Sequence, residues 1–215
     1  MEEILERFDI FFFDLDGVLI NTEPLYFRFW KEASLFYGHE MSDEEALNMR
    51  SLDPVLGQEF FDSFHKDLNY KTVREKRKEF MYKYLENHPI ELKEGAIEVL
   101  TYLRNNNKHV YIVTANKKDK ATRIMKEVGL FDLVDDIISA KDAKRGKPFP
   151  YVYLDACKFV NKKPEEVIVF EDSPNGLKSS HGAGCFTVMV EDMSLYSKDM
   201  NYVDLVIHSL NELLK

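Results

Sequence analysis

Cysteine is scarce. Cys157 and Cys185 are the only two thiols in 215 residues, far apart in sequence and without metal-ligand spacing. This excludes a disulfide scaffold and a thiolate metal centre, and it fits a reducing compartment in which both thiols are simply packed. Nine glycines and seven prolines are too few for a collagen-like or low-complexity chain. Positive charge is short as well: 29 Lys and Arg stand against 38 Asp and Glu, a formal net charge of −9. Nucleic-acid phosphates are held by clustered cations, so a nucleic-acid partner is not expected. No long apolar run occurs. The most apolar stretch, from Phe8 to Phe13, is interrupted by Asp9, whereas a membrane helix needs about 20 apolar residues. The opening Met1-Glu2-Glu3-Ile4-Leu5-Glu6-Arg7 is too acidic for a signal or transit peptide. These absences predict a cytoplasmic monomer with no membrane partner. The 45% hydrophobic residues suffice for a full core in one large domain, or in one domain carrying an insertion.

Short apolar runs recur, and each ends in polar residues. Ile10-Phe11-Phe12-Phe13 stops at Asp14-Leu15-Asp16-Gly17, Val110-Tyr111-Ile112-Val113 at Thr114, and Val167-Ile168-Val169-Phe170 at Glu171-Asp172. Such continuous runs suit strands buried on both faces, and Cys185 to Val190 reads as a further strand. Helices are predicted over about Glu94–Asn106, Lys117–Gly129, Pro150–Val160 and Pro174–Ala183. Alternation of this kind implies an α/β fold, a Rossmann-like parallel sheet flanked by helices.

From about Pro24 to His88 no convincing strand is found, and the segment is rich in aromatics. Ser42 followed by Glu45 is a capping box opening a helix, and Pro89 closes the last one. The expectation is an inserted all-helical domain over residues 21–88, leaving a discontinuous core of 1–20 and 89–215.

Ligands of open α/β sheets bind beyond the carboxyl ends of the strands. That edge would gather Asp14, Asp16, Thr114, Glu171 and Asp172, with Lys147 of Arg145-Gly146-Lys147-Pro148 preceding the third strand. Each element alone has an ordinary explanation. Asp16-Gly17 is a common turn pair, Ser173-Pro174 an N-cap followed by proline, and Lys147 a solvated loop lysine. Together they are specific. Four carboxylates at one edge repel one another unless a cation is present, and a hard divalent ion such as Mg²⁺ resolves the conflict.

The chain resembles the haloacid dehalogenase superfamily. Phe13-Asp14-Leu15-Asp16-Gly17-Val18-Leu19, Val113-Thr114-Ala115-Asn116, Gly146-Lys147-Pro148-Phe149-Pro150 and Val169-Phe170-Glu171-Asp172-Ser173-Pro174-Asn175-Gly176 look like its four motifs, in order. The helical insertion after the first motif resembles the cap of the branch holding β-phosphoglucomutase and sugar-phosphate phosphatases. The resemblance implies Asp14 as nucleophile, giving an aspartyl-phosphate, and Asp16 as general acid and base. It implies Mg²⁺ held by Asp14, Asp16 through its backbone carbonyl, and Asp172, with Glu171 in or beside the coordination sphere. It also implies Thr114, Lys147 and the backbone amides of Ala115 and Asn116 around the phosphoryl group. A lone aspartate would suit the dehalogenases, so the second one argues for a phosphatase acting on a small phosphorylated metabolite.

Some positions depart from the family pattern. Asn21 and Tyr151 stand where relatives often carry Asp, and Tyr26 lies where the mutase carries a histidine. The mutase is therefore the alternative reading, and a phospho-accepting signalling domain a further one that does not need the helical insertion. The loop Met49-Arg50-Ser51-Leu52-Asp53 is expected to face the site, with Arg50 as a candidate specificity residue, although an isolated loop arginine is more often solvated. The basic run Lys71, Arg74, Lys76, Arg77, Lys78 and Lys83 reads as a solvated helix face paired with Glu75 and Glu79.

Overall fold

The computed structural model describes residues 2–50, 52–139, 143–193 and 201–215. Among these residues one six-stranded sheet forms, comprising β1 (Ile10–Phe13), β2 (His109–Thr114), β3 (Asp136–Ser139), β4 (Val167–Glu171), β5 (Phe186–Val190) and β6 (Leu205–Ile207). The strand order is β3-β2-β1-β4-β5-β6, and every neighbouring pair is parallel. All of β1 and β4 is buried, as expected for strands covered on both faces. Phe13 and Phe170 stack with ring centroids 4.5 Å apart at the strand ends.

Helices α1 (Glu2–Arg7), α6 (Ala96–Asn105) and α7 (Lys118–Glu127) precede or connect the early strands; α8 (Tyr151–Phe159) and α9 (Pro174–Ala183) serve the later ones. The apolar cluster containing Leu5, Val99, Leu103, Ile124 and Met125 packs against Phe11, Phe13 and Phe170 on one sheet face. Val152, Tyr153 and Ala156 pack with Phe12 and Val169 on the other. The predicted helices fall within a residue or two of those observed. Strands β3 and β6 and helix α1 are additions; each is short, and β3 begins within the acidic pair Asp135-Asp136.

Between β1 and β2 lie α2 (Glu23–Phe36), α3 (Asp43–Asn48), α4 (Pro54–Phe64) and α5 (Tyr70–Leu85). They form the helical cap, whose core gathers Trp30, Ala33, Met41, Phe61, Tyr70 and Val73. The capping box is present: Ser42 accepts from Glu45 N while Glu45 accepts from Ser42 N. The two connections to the cap run side by side. Asn21 N donates to Glu91 O at 2.8 Å, Lys93 N donates to Leu19 O at 3.0 Å, and Ile20 bridges Leu92. No described helix is long and apolar enough to cross a membrane.

Candidate active site

The chain leaves β1 in opposite lateral directions, to β2 and β3 on one side and to β4, β5 and β6 on the other. This reversal opens a crevice beyond the carboxyl ends of β1, β2 and β4. Asp14 follows β1 directly, and its N–H donates to Phe170 O at 3.0 Å, tying it to the neighbouring strand. Thr114 ends β2 and Glu171 ends β4, with Asp172 next. The carboxylates of Asp14, Glu171 and Asp172 are buried, with oxygens within 4.8 Å of one another.

Such crowding is costly. Burial, opposed by Lys147 and reinforced by Glu171 and Asp16, pushes the Asp14 carboxyl up to about 8. Burial also lifts Asp172 well above the usual carboxylate range, against the pull of Arg50. Lys147, itself buried, pairs with Glu171 and lies 3.2 Å from Asp14 Oδ2. Burial works against its ammonium, yet these two carboxylates hold it protonated above the ordinary lysine value. Glu171 Oε2 and Asp172 Oδ1 are buried without hydrogen-bond partners among the described residues. Two orphaned carboxylate oxygens within a cluster of three acids fit a hard divalent cation, so the donor set matches a metal ion.

Local backbone geometry makes the approach possible. Gly17 has φ +80°, and a Cβ there would lie 2.2 Å from Asp172 Oδ2. At Gly176 a Cβ would lie 2.0 Å from Glu171 Oε2. Ser173 caps α9 by accepting from Gly176 N at 3.1 Å, and Pro174 stands in the first turn.

Asp16 is held by partners outside the group of three acids. Thr22 Oγ1 donates to its Oδ1 at 2.6 Å, and Asn116 Nδ2 donates to its Oδ2 at 2.6 Å. Its side chain therefore addresses the cavity between core and cap. Thr114 Oγ1 accepts from Asn116 N at 3.1 Å, while Ala115 and Asn116 line that same cavity.

Arg50 departs from the solvated expectation. Its side chain is buried, with Nε donating to Glu23 Oε2 at 2.7 Å and Nη2 donating to Asp172; Asp192 Oδ2 lies 3.6 Å away. Burial disfavours its charge, but Asp172 and Glu23 hold the guanidinium above its ordinary value. The reason is the acid-rich edge, which draws the cation in. The loop faces the site as expected through Met49, Arg50 and Leu52, while Ser51 lies outside the described residues. Asp53 docks this loop on the lysine loop. Its N–H donates to Lys147 O at 3.1 Å, and its Oδ2 accepts from Gly146 N at 3.0 Å.

A cavity of about 400 Å³ lies between cap and core, with Asp14 and Asp16 in its wall. Arg74, Arg77 and Lys78 also line it, so the basic run is only partly a solvated face; the pairs Lys76–Glu79 and Lys78–Glu75, both 2.6 Å, form as expected.

Sequence reasoning missed four residues here. Glu23 is a buried partner of Arg50, and Asp192 of both Arg50 and Lys93. Tyr153 donates its hydroxyl to Glu171, and Asn175 Nδ2 donates to Arg50 O at 2.9 Å. Asn175 lies within a motif that was already legible, although its bond to Arg50 was not. The other three carry no local signal, because their partners are distant in sequence.

This arrangement of acids at the strand ends under a helical cap has a counterpart among known proteins. The model of the haloacid dehalogenase-like hydrolases matches residues 8–184, and the chain belongs to that family. It is 33% identical over 178 residues to validoxylamine A 7'-phosphate phosphatase of Streptomyces hygroscopicus subsp. limoneus, covering 82% of each chain. It is 30% identical over 207 residues to hexitol phosphatase A of Escherichia coli, covering 94% of this chain and 92% of that one. Among solved structures, β-phosphoglucomutase from Clostridium difficile superposes with a TM-score of 0.79 at 21% identity, covering 96% of this chain and 93% of that one. A family IA hydrolase from Entamoeba histolytica superposes with a TM-score of 0.77 at 26% identity, covering 95% and 94%.

Proposed function

We propose that the protein is a Mg²⁺-dependent phosphatase of a small phosphorylated metabolite, a sugar phosphate in the first place, acting through an aspartyl-phosphate on Asp14. Residues 1–20 and 89–215 form its catalytic core and 21–88 its cap. The observation that carries this reading is the meeting of three buried carboxylates with the Lys147 ammonium at the strand ends, with a second aspartate, Asp16, turned toward the cavity. The relatives' names, which include a phosphatase of phosphorylated carbohydrates from Thermotoga maritima at 29% identity, support the substrate class.

In this mechanism a carboxylate oxygen of Asp14 attacks phosphorus as the bond to the ester oxygen breaks. Asp16, as the carboxylic acid, protonates the departing oxygen. A water molecule then attacks the phosphorus of the aspartyl-phosphate, Asp16 takes its proton, and phosphate leaves Asp14 as a carboxylate. Thr22 and Asn116 hold Asp16 between them, fixing the proton donor toward the alcohol side. Lys147, Thr114 and the backbone amide of Ala115 grip the phosphoryl oxygens, while the Asn116 amide is engaged by Thr114 Oγ1. Asp14, Asp172, Glu171 and the Asp16 carbonyl would hold Mg²⁺, whose charge would keep Asp14 ionised and offset its repulsion of the phosphate.

Tyr26 borders the cavity beside Asp16, at the place where the mutase reading needs a histidine. A panel of phosphorylated metabolites, assayed for inorganic phosphate and for isomerised product with and without chelator, tests the reading. Chelator-sensitive release of phosphate is the expected result. Isomerised product without phosphate would favour the mutase, and release that persists after exhaustive chelation would remove the metal.

A further inference from the structure

The cavity above Asp14 and Asp16 is divided by charge. Apart from Asp119 on α7, its acids, Asp14, Asp16 and Glu23, belong to the strand-end cluster or its immediate neighbours. Away from them, cations reach in from both sides: Arg74 and Arg77 from α5 of the cap, and Lys120 and Arg123 from α7 of the core. This concentration stands out in a chain of net charge −9.

Arg77 is the centre of the group. Its guanidinium stacks between Tyr26 and Trp30, 4.6 and 4.7 Å from the ring centroids. Its Nε is buried without a hydrogen-bond partner among the described residues. A buried donor left unpaired is destabilising, so its retention calls for an explanation. Lys120 rests against Asn116 Oδ1 at 2.9 Å, the residue that also holds Asp16. Lys120 lines the same cavity as Arg74, Arg77 and Lys78; burial pushes its ammonium below the ordinary value, Asp16 opposes this, and the three cap cations add to it. Arg74 presses on Arg77 in the same sense, after burial. Like charges gathered at a partly buried site are unfavourable until an anion enters between them.

We propose that this part of the cavity binds a second anionic group, a carboxylate or phosphoryl carried on the alcohol portion of the substrate. The substrate is then a phosphate ester whose leaving group is itself an anion. The proposal rests on the phosphatase reading and narrows it. Arg77 and Arg74 grip the distal anion from the cap, while Lys120 and Arg123 grip it from the core. The same anion bridges the two domains and favours closure over the ester.

The test compares three esters on one six-carbon chain: sorbitol 6-phosphate with a neutral far end, 6-phosphogluconate with a carboxylate, and sorbitol 1,6-bisphosphate with a second phosphoryl. Expected is a preference in kcat/KM for at least one of the anionic compounds over sorbitol 6-phosphate of about tenfold or more. Which of the two is preferred identifies the group. Arg77→Gln and Arg123→Gln are each expected to bring that ratio toward one, and so is raising the salt concentration, which screens an exposed cation such as Arg123. Arg123 is exposed, so its substitution removes charge without touching the cap core and serves as the check if Arg77→Gln misfolds. Calorimetric binding of the same compounds to Asp14→Asn protein gives a readout independent of turnover, with the same order of affinities expected. Equal or better handling of sorbitol 6-phosphate, or a preference that survives in both arginine variants, overturns the proposal. If no ester releases phosphate, the phosphatase reading fails, and the binding order still decides for or against the anion site.

Discussion

Asp14 sits in surroundings that oppose its own charge. Its folded-state value of about 8 lies above the ordinary 3.8, mainly through burial. The folded metal-free protein therefore binds a proton there that the unfolded chain releases. A group raised in this way supports the fold most below the ordinary value, and the support is lost as pH rises toward 8. Asp14→Asn removes the titration. In chelator, the variant should match or exceed wild-type stability at pH 7–8, by roughly 1–2 kcal/mol, with the gap closing toward pH 4. Denaturant melts across pH check this; a variant clearly less stable at pH 8 contradicts it. Gly17 acts at the same scale. Its positive φ and the approach of Asp172 leave no place for a Cβ. Gly17→Ala should lose at least about 1–2 kcal/mol and most turnover, measured by denaturant melts and phosphate release. Asp14, Asp16, Thr114, Lys147, Glu171 and Asp172 were legible because each follows an apolar run or sits in a motif. Tyr153 was not, because nothing local distinguishes a tyrosine that packs from one that also donates to Glu171.

At the scale of elements, the long apolar strands and the capped helices were readable from period and punctuation, as α9 illustrates from Ser173 to Ala183. Strand β3 was not, since four residues starting at Asp136 give periodicity too little to work on. The segment around Arg50 depended on its partners. Only the folded chain brings Glu23, Asp172 and Asp192 round one guanidinium. Helix α5 divides its cations between solvent and cavity, a split its sequence does not mark. The Met49–Asp53 loop is joined to the lysine loop by Asp53, which also caps α4 through Val55 N at 2.8 Å. Asp53→Ala removes both bonds. It should cost about 1–2 kcal/mol and raise KM more than it lowers kcat, since the cap loop keeps only its backbone bond to Lys147 O. Thermal melts and steady-state kinetics on one preparation check both parts, and an unchanged KM would separate Asp53 from the site.

For the whole molecule, the connections at Leu19–Asn21 and Glu91–Lys93 run side by side where the helical segment joins the sheet. In the proposed reaction, a cap closed over the strand ends would exclude water from the first transfer, and its opening would exchange the product. In the proposed reading a metal ion would couple to the fold through the acids it neutralises. Mg²⁺ should raise the melting temperature, by an amount equivalent to about 2.7 kcal/mol at a hundred times its Kd, and Asp172→Ala should abolish most of that rise. Calorimetry with and without Mg²⁺ measures it; an equal rise in the variant would place the ion elsewhere. The central claim, that Asp14 carries the phosphoryl group, is tested most directly by phosphate release from folded Asp14→Asn beside wild type on the best substrate of the panel. The account predicts a fall in kcat of about a thousandfold or more with the fold intact. Turnover near that of wild type would contradict it.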